Sequence, residues 1–184
     1  MNTNPYFDPN ALPLYIHGLE GNPTKPTGKG GYMLKTFGRS GPQMPAKYEG
    51  TLARPSCFEP SFEVMSQYLQ ANPASVLVGS SFGGGITIAL LQRGFWKGPI
   101  VLLAPAIKRY QLDLEFPDDV HAIVIHDPSD DIINYEDSIV LQKANPATCE
   151  LWPSDGGHRL STITQNGTLE KAVRLQMTRA QTLR

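Results

Sequence analysis

The residue of this sequence that most clearly indicates a chemical role is a serine with a glycine two positions before it and another two positions after it. Ser81 is the central residue of a G-x-S-x-G pattern at residues 79–83. An apolar run at residues 75–78 precedes the pattern, and an apolar stretch with helical spacing follows it at residues 85–92. A tight turn between a strand and a helix exposes a serine hydroxyl, and flanking glycines remove side chains that would collide there. The pattern therefore predicts a nucleophile at Ser81; the alternative is an ordinary glycine-rich turn.

A serine nucleophile needs a base within hydrogen-bond reach at neutral pH, and histidine is the usual one. Of the four histidines, His158 lies in a glycine-rich loop after the last apolar run, and we expect it to reach Ser81. His17 and His126 also end apolar runs, and we expect His17 to orient its loop by hydrogen bonds rather than to transfer protons. His121 precedes such a run and would lie at the opposite edge of a parallel sheet.

The acid that would orient this base comes from a loop with three aspartates. Asp130 is the expected acid, and Asp131 and Asp127 are the alternatives from the same loop. One of these carboxylates could instead cap or complement the helix predicted from about Asn134. A metal site without recognised ligand spacing is a further alternative. Its ligands would be His126, Asp127, Asp130 and His158.

These candidate residues follow apolar runs that alternate with helical segments. Strands are predicted at residues 12–16, 75–78, 99–103, 121–126 and 147–152, with a weaker one at residues 43–46. Helices are predicted at residues 30–37, 60–71, 85–92, 135–143 and 169–180. The alternation predicts an α/β fold: a three-layer sandwich with a mostly parallel sheet and helices on both faces, in one domain spanning residues 1–184. Sites in such sheets form at the carboxyl ends of the strands, where Ser81, an aspartate and His158 would converge.

Five short motifs, in chain order, resemble those of the serine-type α/β-hydrolases. They are His17-Gly18-Leu19, residues 79–83, Ala104-Pro105, residues 126–134 and residues 157–160. Within that superfamily the chain most resembles the compact YqiA-like esterases, which lack a cap domain. Their first loop often reads H-G-x-x-x-x-P, as residues 17–23 do. The acid loop of the superfamily often reads H-G-x-x-D-x-x-V-P, which places the acid at Asp130, while Asp127 and Asn134 depart from that pattern.

The resemblance implies a serine hydrolase that cleaves carboxylic esters or thioesters through an acyl-enzyme on Ser81. It also implies an oxyanion hole formed by the backbone N–H groups of Leu19 and Phe82, with no metal and no organic cofactor. Two alternatives stay open at this point. One is a catalytically weak binding or regulatory module, and the other is an acyltransferase or peptidase that uses the same nucleophile.

The connection between Ala104 and His121 bears on access to the site. It contains about 16 residues, too few for a cap domain, so we expect an open site or one covered by loops. Lys108 and Arg109 in this connection are expected to be a solvated basic pair. The alternative is that they contact an anionic group of the substrate.

Charge and composition exclude several classes of function. The 16 lysines and arginines against 17 aspartates and glutamates give a formal net charge of -1, which disfavours nucleic-acid binding. The 2 cysteines provide no disulfide framework and favour a reduced, cytoplasmic setting. The N-terminus does not read as a signal peptide, and no apolar run reaches the roughly 18 residues of a membrane span. The expected partner is a small-molecule acyl substrate, and nothing in the sequence specifies an oligomeric state.

Overall fold

The computed structural model describes residues 4–48 and 56–183. Among these residues, five strands form one sheet: β1 (Leu14–Ile16), β2 (Leu77–Ser80), β3 (Ile100–Leu103), β4 (Ala122–His126) and β5 (Cys149–Pro153). The helices are α1 (Lys29–Phe37), α2 (Phe58–Ala71), α3 (Phe82–Gln92), α4 (Tyr135–Ala144) and α5 (Thr168–Ala180). Two short 3-10 turns lie at Lys108–Tyr110 and Gly157–Arg159.

All neighbouring strands are parallel, and their order across the sheet is their order along the chain. Because the strands share one direction, their carboxyl ends lie at one edge, and the loops that follow them meet there. The register places Ile16 beside Gly79 and Ser80 beside Leu103, so the first three strands end close together. The predicted fold class is confirmed.

Apolar side chains cover both faces of the sheet, which explains why its central strands are continuous apolar runs. On β1, Leu14 and Ile16 belong to one core cluster and Tyr15 to the other, as the two-residue period of a strand requires. Helices α2, α3 and α4 contribute to the first cluster, and α1 and α5 contribute to the second. The result is a sheet covered by helices on both sides.

Helix α3 begins at Phe82, earlier than residue 85 where the sequence predicts it. Consecutive glycines indicate a turn by propensity, because glycine is a poor helix former. Packing requires them in the helix: a Cβ at Gly83 would lie 2.2 Å from the carbonyl oxygen of Ile16, and one at Gly84 would lie 2.9 Å from Pro105. Tertiary contact therefore outweighs propensity, and a single residue separates β2 from α3.

No strand forms at residues 43–46, where the sequence predicts a weak one. The backbone N–H of Met44 instead donates a hydrogen bond to Nε2 of His17 at 2.9 Å, and Nε2 of Gln43 lies 3.2 Å from the same ring nitrogen. This segment therefore binds a side chain rather than a neighbouring strand, and Pro45 within it lacks the N–H that a sheet would need.

The connection between β3 and β4 contains one regular element, the 3-10 turn Lys108–Tyr110, and all of it lies in the described part of the chain. No cap domain is inserted there, as predicted. No helix at residues 4–48 and 56–183 has both the length and the apolar character needed to cross a membrane.

Candidate active site

Ser81 lies on the turn between β2 and α3 with an unusual backbone conformation, φ 52° and ψ -112°. Its N–H donates to the carbonyl of Leu103 at 2.8 Å, and its carbonyl accepts from the N–H of Ala106 at 3.1 Å, so the next strand and its loop hold the turn. A Cβ at Gly79 would lie 2.3 Å from Oγ1 of Thr87. Gly79, two residues before the serine, is therefore required by close packing of the strand against the helix.

The structure brings Ser81, His158 and Asp130 into one hydrogen-bonded chain. Nε2 of His158 lies 3.0 Å from Oγ of Ser81, and Nδ1 of the same ring lies 2.8 Å from Oδ2 of Asp130. Because a carboxylate only accepts hydrogen bonds, the proton is on Nδ1, which leaves Nε2 free to accept from the serine hydroxyl. The Asp130 side chain is fully buried, whereas 21% of the His158 side chain is exposed.

Asp130 is held as a carboxylate by the backbone of its own loop. Its Oδ1 accepts hydrogen bonds from the N–H groups of Ile132 at 2.8 Å and Ile133 at 2.9 Å. Burial alone would raise the pKa of Asp130, but the Ile133 amide, the His158 ring and the Ile132 amide together outweigh burial and lower it. The group facing Nδ1 of His158 is therefore ionised at neutral pH.

A second histidine binds the same carboxylate oxygen. Nε2 of His126 lies 3.0 Å from Oδ2 of Asp130, and its Nδ1 lies 2.7 Å from Oγ of Ser138. Complete burial lowers the pKa of His126, so the ring is neutral, donates from Nε2 to Asp130 and accepts at Nδ1 from the Ser138 hydroxyl. Sequence reasoning missed this contact, because a spacing of four residues indicates a side-chain pair only on a helix, whereas His126 ends β4 and Asp130 lies in the loop after it.

The other two aspartates of the loop do not reach His158. Asp127 accepts from Ser129 through one oxygen and from the N–H of Gly157 at 2.6 Å through the other, so it ties the acid loop to the histidine loop. Asp131 is exposed and has no hydrogen-bond partner within the described residues. Neither caps α4, whose N-terminal Glu136 amide is bound by the Asn134 side chain.

The loop after β1 runs beside the serine and is held by His17. Nδ1 of His17 lies 2.7 Å from the carbonyl oxygen of Gly18, while Nε2 accepts from Met44. Burial lowers the pKa of His17, so a neutral ring fits both contacts. These bonds agree with the predicted orienting role. A Cβ at Gly18 would lie 3.5 Å from Cβ of Ser81, which shows how closely this loop passes the serine.

The two amides expected to form an oxyanion hole flank this contact. Leu19 follows Gly18 in the loop, and Phe82 follows Ser81 as the first residue of α3. Neither backbone N–H donates a hydrogen bond to any group at residues 4–48 or 56–183. The first amides of a helix have no partner within it, so the Phe82 N–H is free to bind an external acceptor.

A cavity of about 400 Å³ opens above the serine. Its lining includes Gly18, Leu19, Lys29, Tyr48, Ser81, Arg109, Ile132, His158 and Arg159. Arg109 thus contributes to the site, whereas Lys108 lines a separate cavity beside α4. Lys108 is exposed and Arg109 is half-buried, so the two residues do not lie on one shared surface, and contact of Arg109 with an anionic group of the substrate stays a prediction.

The alternative metal site is not formed. His126 and His158 both hydrogen-bond to Asp130, and no group of three histidine, cysteine, aspartate or glutamate side chains in the described ranges is arranged to hold a metal ion. Burial raises the pKa of the Cys149 thiol to about 12, so this cysteine is not a thiolate nucleophile at neutral pH.

No protein-family model and no curated protein sequence matches this chain. Among solved structures, a candidate YdeN-like hydrolase from Pectobacterium atrosepticum is 16% identical with a TM-score of 0.68, and the match covers 94% of this chain and 92% of that one. A candidate α/β-superfamily hydrolase from Xanthomonas campestris is 22% identical with a TM-score of 0.65, covering 93% and 97%. A Bacillus cereus carboxylesterase is 17% identical with a TM-score of 0.62, covering 92% and 88%. At these identities the similarity concerns architecture, and the chain has the α/β-hydrolase fold.

Proposed function

We propose that this protein is a serine hydrolase that cleaves carboxylic esters or thioesters of small molecules through an acyl-enzyme on Ser81. The observation that carries the proposal is the unbroken hydrogen-bonded chain from Ser81 through His158 to Asp130. A nucleophile, a base and an orienting acid in this geometry are the parts that acyl transfer requires. The resemblance to YqiA-like esterases and the esterases among proteins of the same fold agree with this function.

In the first half of the reaction, Oγ of Ser81 attacks the substrate carbonyl while Nε2 of His158 takes the hydroxyl proton. The bond from the carbonyl carbon to the leaving oxygen or sulfur then breaks, and His158 returns the proton to the leaving group. In the second half, water attacks the acyl-serine in the same way, which releases the carboxylic acid and restores the serine. Atoms balance with water as the only co-reactant.

Two sets of groups stabilise the charges that develop. Asp130 fixes the His158 tautomer and stabilises the imidazolium, and the neutral His126 fixes the Asp130 carboxylate in turn. The backbone N–H groups of Leu19 and Phe82 bind the oxyanion of the tetrahedral intermediate. Because the turn and the His17-held loop already position both amides, they need no reorganisation during the reaction, and each is worth about 10²–10³ in rate.

The test is covalent labelling with a fluorophosphonate probe, combined with hydrolysis of 4-nitrophenyl acetate. We expect the wild type to be labelled and active, and Ser81→Ala to lose labelling and at least about 10³ of the rate. Ser154→Ala, a half-buried serine outside the cavity, is the matched control and is expected to behave as wild type. A Ser81→Ala protein that keeps the wild-type rate would disprove the proposal. An unlabelled wild type would favour a binding module, and acyl transfer to an added alcohol would identify an acyltransferase.

A further inference from the structure

One lysine in the candidate site has no charge partner among the described residues. Lys29 begins α1, is half-buried and lines the cavity above Ser81. Its Nζ donates one hydrogen bond, to the carbonyl oxygen of Arg159 at 2.6 Å. No carboxylate of residues 4–48 or 56–183 lies within 4.0 Å of it. An ammonium group has three donors, so two of them have no partner among the described residues.

This arrangement is costly for the folded chain. Desolvation of Lys29, with the nearby Arg159 charge as a second cause, lowers the pKa of the ammonium group to about 8. A partly buried cation without a counter-charge destabilises a protein, and surface lysines normally avoid the cost by remaining in water. A cation held in this way inside a cavity that also contains a nucleophile points to an anionic ligand.

Arg159 supplies a second unpaired cation beside the first. It follows His158 directly, lines the same cavity and forms no ion pair with the described residues. Three other arginines, Arg93, Arg174 and Arg179, each pair with a glutamate. The exposed Glu20 also lines the cavity, but it forms no ion pair with Lys29 or Arg159.

The position of these cations relative to His158 specifies which part of a substrate they would contact. In the proposed reaction His158 protonates the leaving group, so the leaving group must lie against its ring. Lys29 is bonded to the residue next to that histidine. We propose that Lys29 and Arg159 form an anion-binding subsite for the leaving group, so that preferred substrates are esters of alcohols or thiols that carry a carboxylate or a phosphate. This inference rests on the proposed hydrolase function.

The test compares matched acetate esters that differ in the charge of the leaving group. These are 4-acetoxybenzoate, 4-acetoxyphenyl phosphate and the neutral methyl 4-acetoxybenzoate. We expect Lys29→Met and Arg159→Gln to lower the ratio of kcat/KM for an anionic ester to kcat/KM for the neutral ester by about ten- to a hundredfold. Lys35→Met, which replaces an exposed lysine on the same helix, is expected to leave this ratio unchanged. The carboxylate and phosphate esters distinguish the two kinds of anion.

Three results would overturn the subsite. The first is an equal loss for anionic and neutral esters in both variants, because Lys29 would then merely hold the histidine loop. The second applies if Lys29→Met fails to fold: it is an Arg159→Gln protein whose ratio of kcat/KM for the anionic ester to kcat/KM for the neutral ester equals that of the wild type. The third is a charge preference confined to the acyl part, measured with 4-nitrophenyl monoadipate against 4-nitrophenyl hexanoate.

A binding measurement separates failure of this inference from failure of the hydrolase proposal. Ser81→Ala cannot form an acyl-enzyme but keeps the cavity, and calorimetry can compare its affinity for 4-acetamidobenzoate and for the methyl ester of that amide. At least about tenfold tighter binding of the anionic amide, lost on addition of Lys29→Met, would support the subsite even if no ester were hydrolysed. Equal affinities would overturn it.

Discussion

Replacement of Asp130 by asparagine tests the candidate site most sharply, because the structure dictates how the new side chain must lie. The amides of Ile132 and Ile133 both donate to Oδ1, so the asparagine oxygen must occupy that position. Its NH₂ group then takes the place of Oδ2, where the ring N–H groups of His158 and His126 point. Donors would face donors at both contacts.

The clash at His158 is relieved only if this ring changes tautomer. Nδ1 of His158 must then accept from the asparagine NH₂, and the ring proton moves to Nε2, which faces Oγ of Ser81. A protonated Nε2 cannot accept the serine proton. We therefore expect kcat/KM to fall by about 10⁴, equivalent to about 5.5 kcal/mol of transition-state stabilisation.

The assay is hydrolysis of 4-nitrophenyl acetate under single-turnover conditions, with circular dichroism to verify folding. Asp131→Asn is the matched control, since Asp131 lies in the same loop, is exposed and binds no described side chain or amide. It is expected to remain within about twofold of wild type. A folded Asp130→Asn protein within tenfold of the wild-type rate would refute the assigned role of Asp130, and so would an equal loss in Asp131→Asn.

Two further predictions concern folding. Gly83→Ala is expected to prevent stable expression, because the new Cβ would lie 2.2 Å from the Ile16 carbonyl oxygen. Gly28→Ala is the control and is expected to be tolerated, because the nearest atom to its new Cβ would lie 3.5 Å away. Equal melting temperatures of the two variants would contradict this prediction. Burial lowers the pKa values of His17 and His126, so below about pH 6.5 the unfolded chain binds protons that the native chain does not. The contribution of the two neutral rings to the unfolding free energy is present above that pH and is lost as the pH falls, by at most about 1.4 kcal/mol per pH unit for each ring. Denaturant titrations at pH 7 and pH 5 measure this loss. An unfolding free energy that is the same at both pH values would contradict the prediction.

The sheet could be predicted from the sequence because its strands are buried on both faces and are therefore continuous apolar runs. The same property predicted which residues follow the strands, and hence that Ser81 and His158 could lie near each other. The start of α3 could not be predicted. The reason is that Gly83 and Gly84 are required by contacts with Ile16 and Pro105, which are distant in sequence.

The detailed geometry of the site depends on hydrogen bonds that no local sequence pattern predicts. Three aspartates share one loop, and only the folded loop determines that two backbone amides bind Asp130 rather than Asp131. In the sequence prediction His126 ends a strand, and Lys29 precedes the helix at residues 30–37. The conformation of the loop after β4 brings Asp130 back to His126, and the approach of α1 to the histidine loop brings Lys29 to Arg159.

The backbone conformation of Ser81 lowers the stability of the folded chain at the residue that the proposed reaction needs. Its φ and ψ cost about 1–3 kcal/mol for a residue with a side chain, whereas glycine adopts such angles without penalty. Selection for a firm fold alone would therefore favour glycine there. In a descendant of this protein that no longer needed the hydroxyl, replacement of Ser81 by glycine would increase the stability of the fold. The proposed reaction and the residue that performs it are therefore easily lost together.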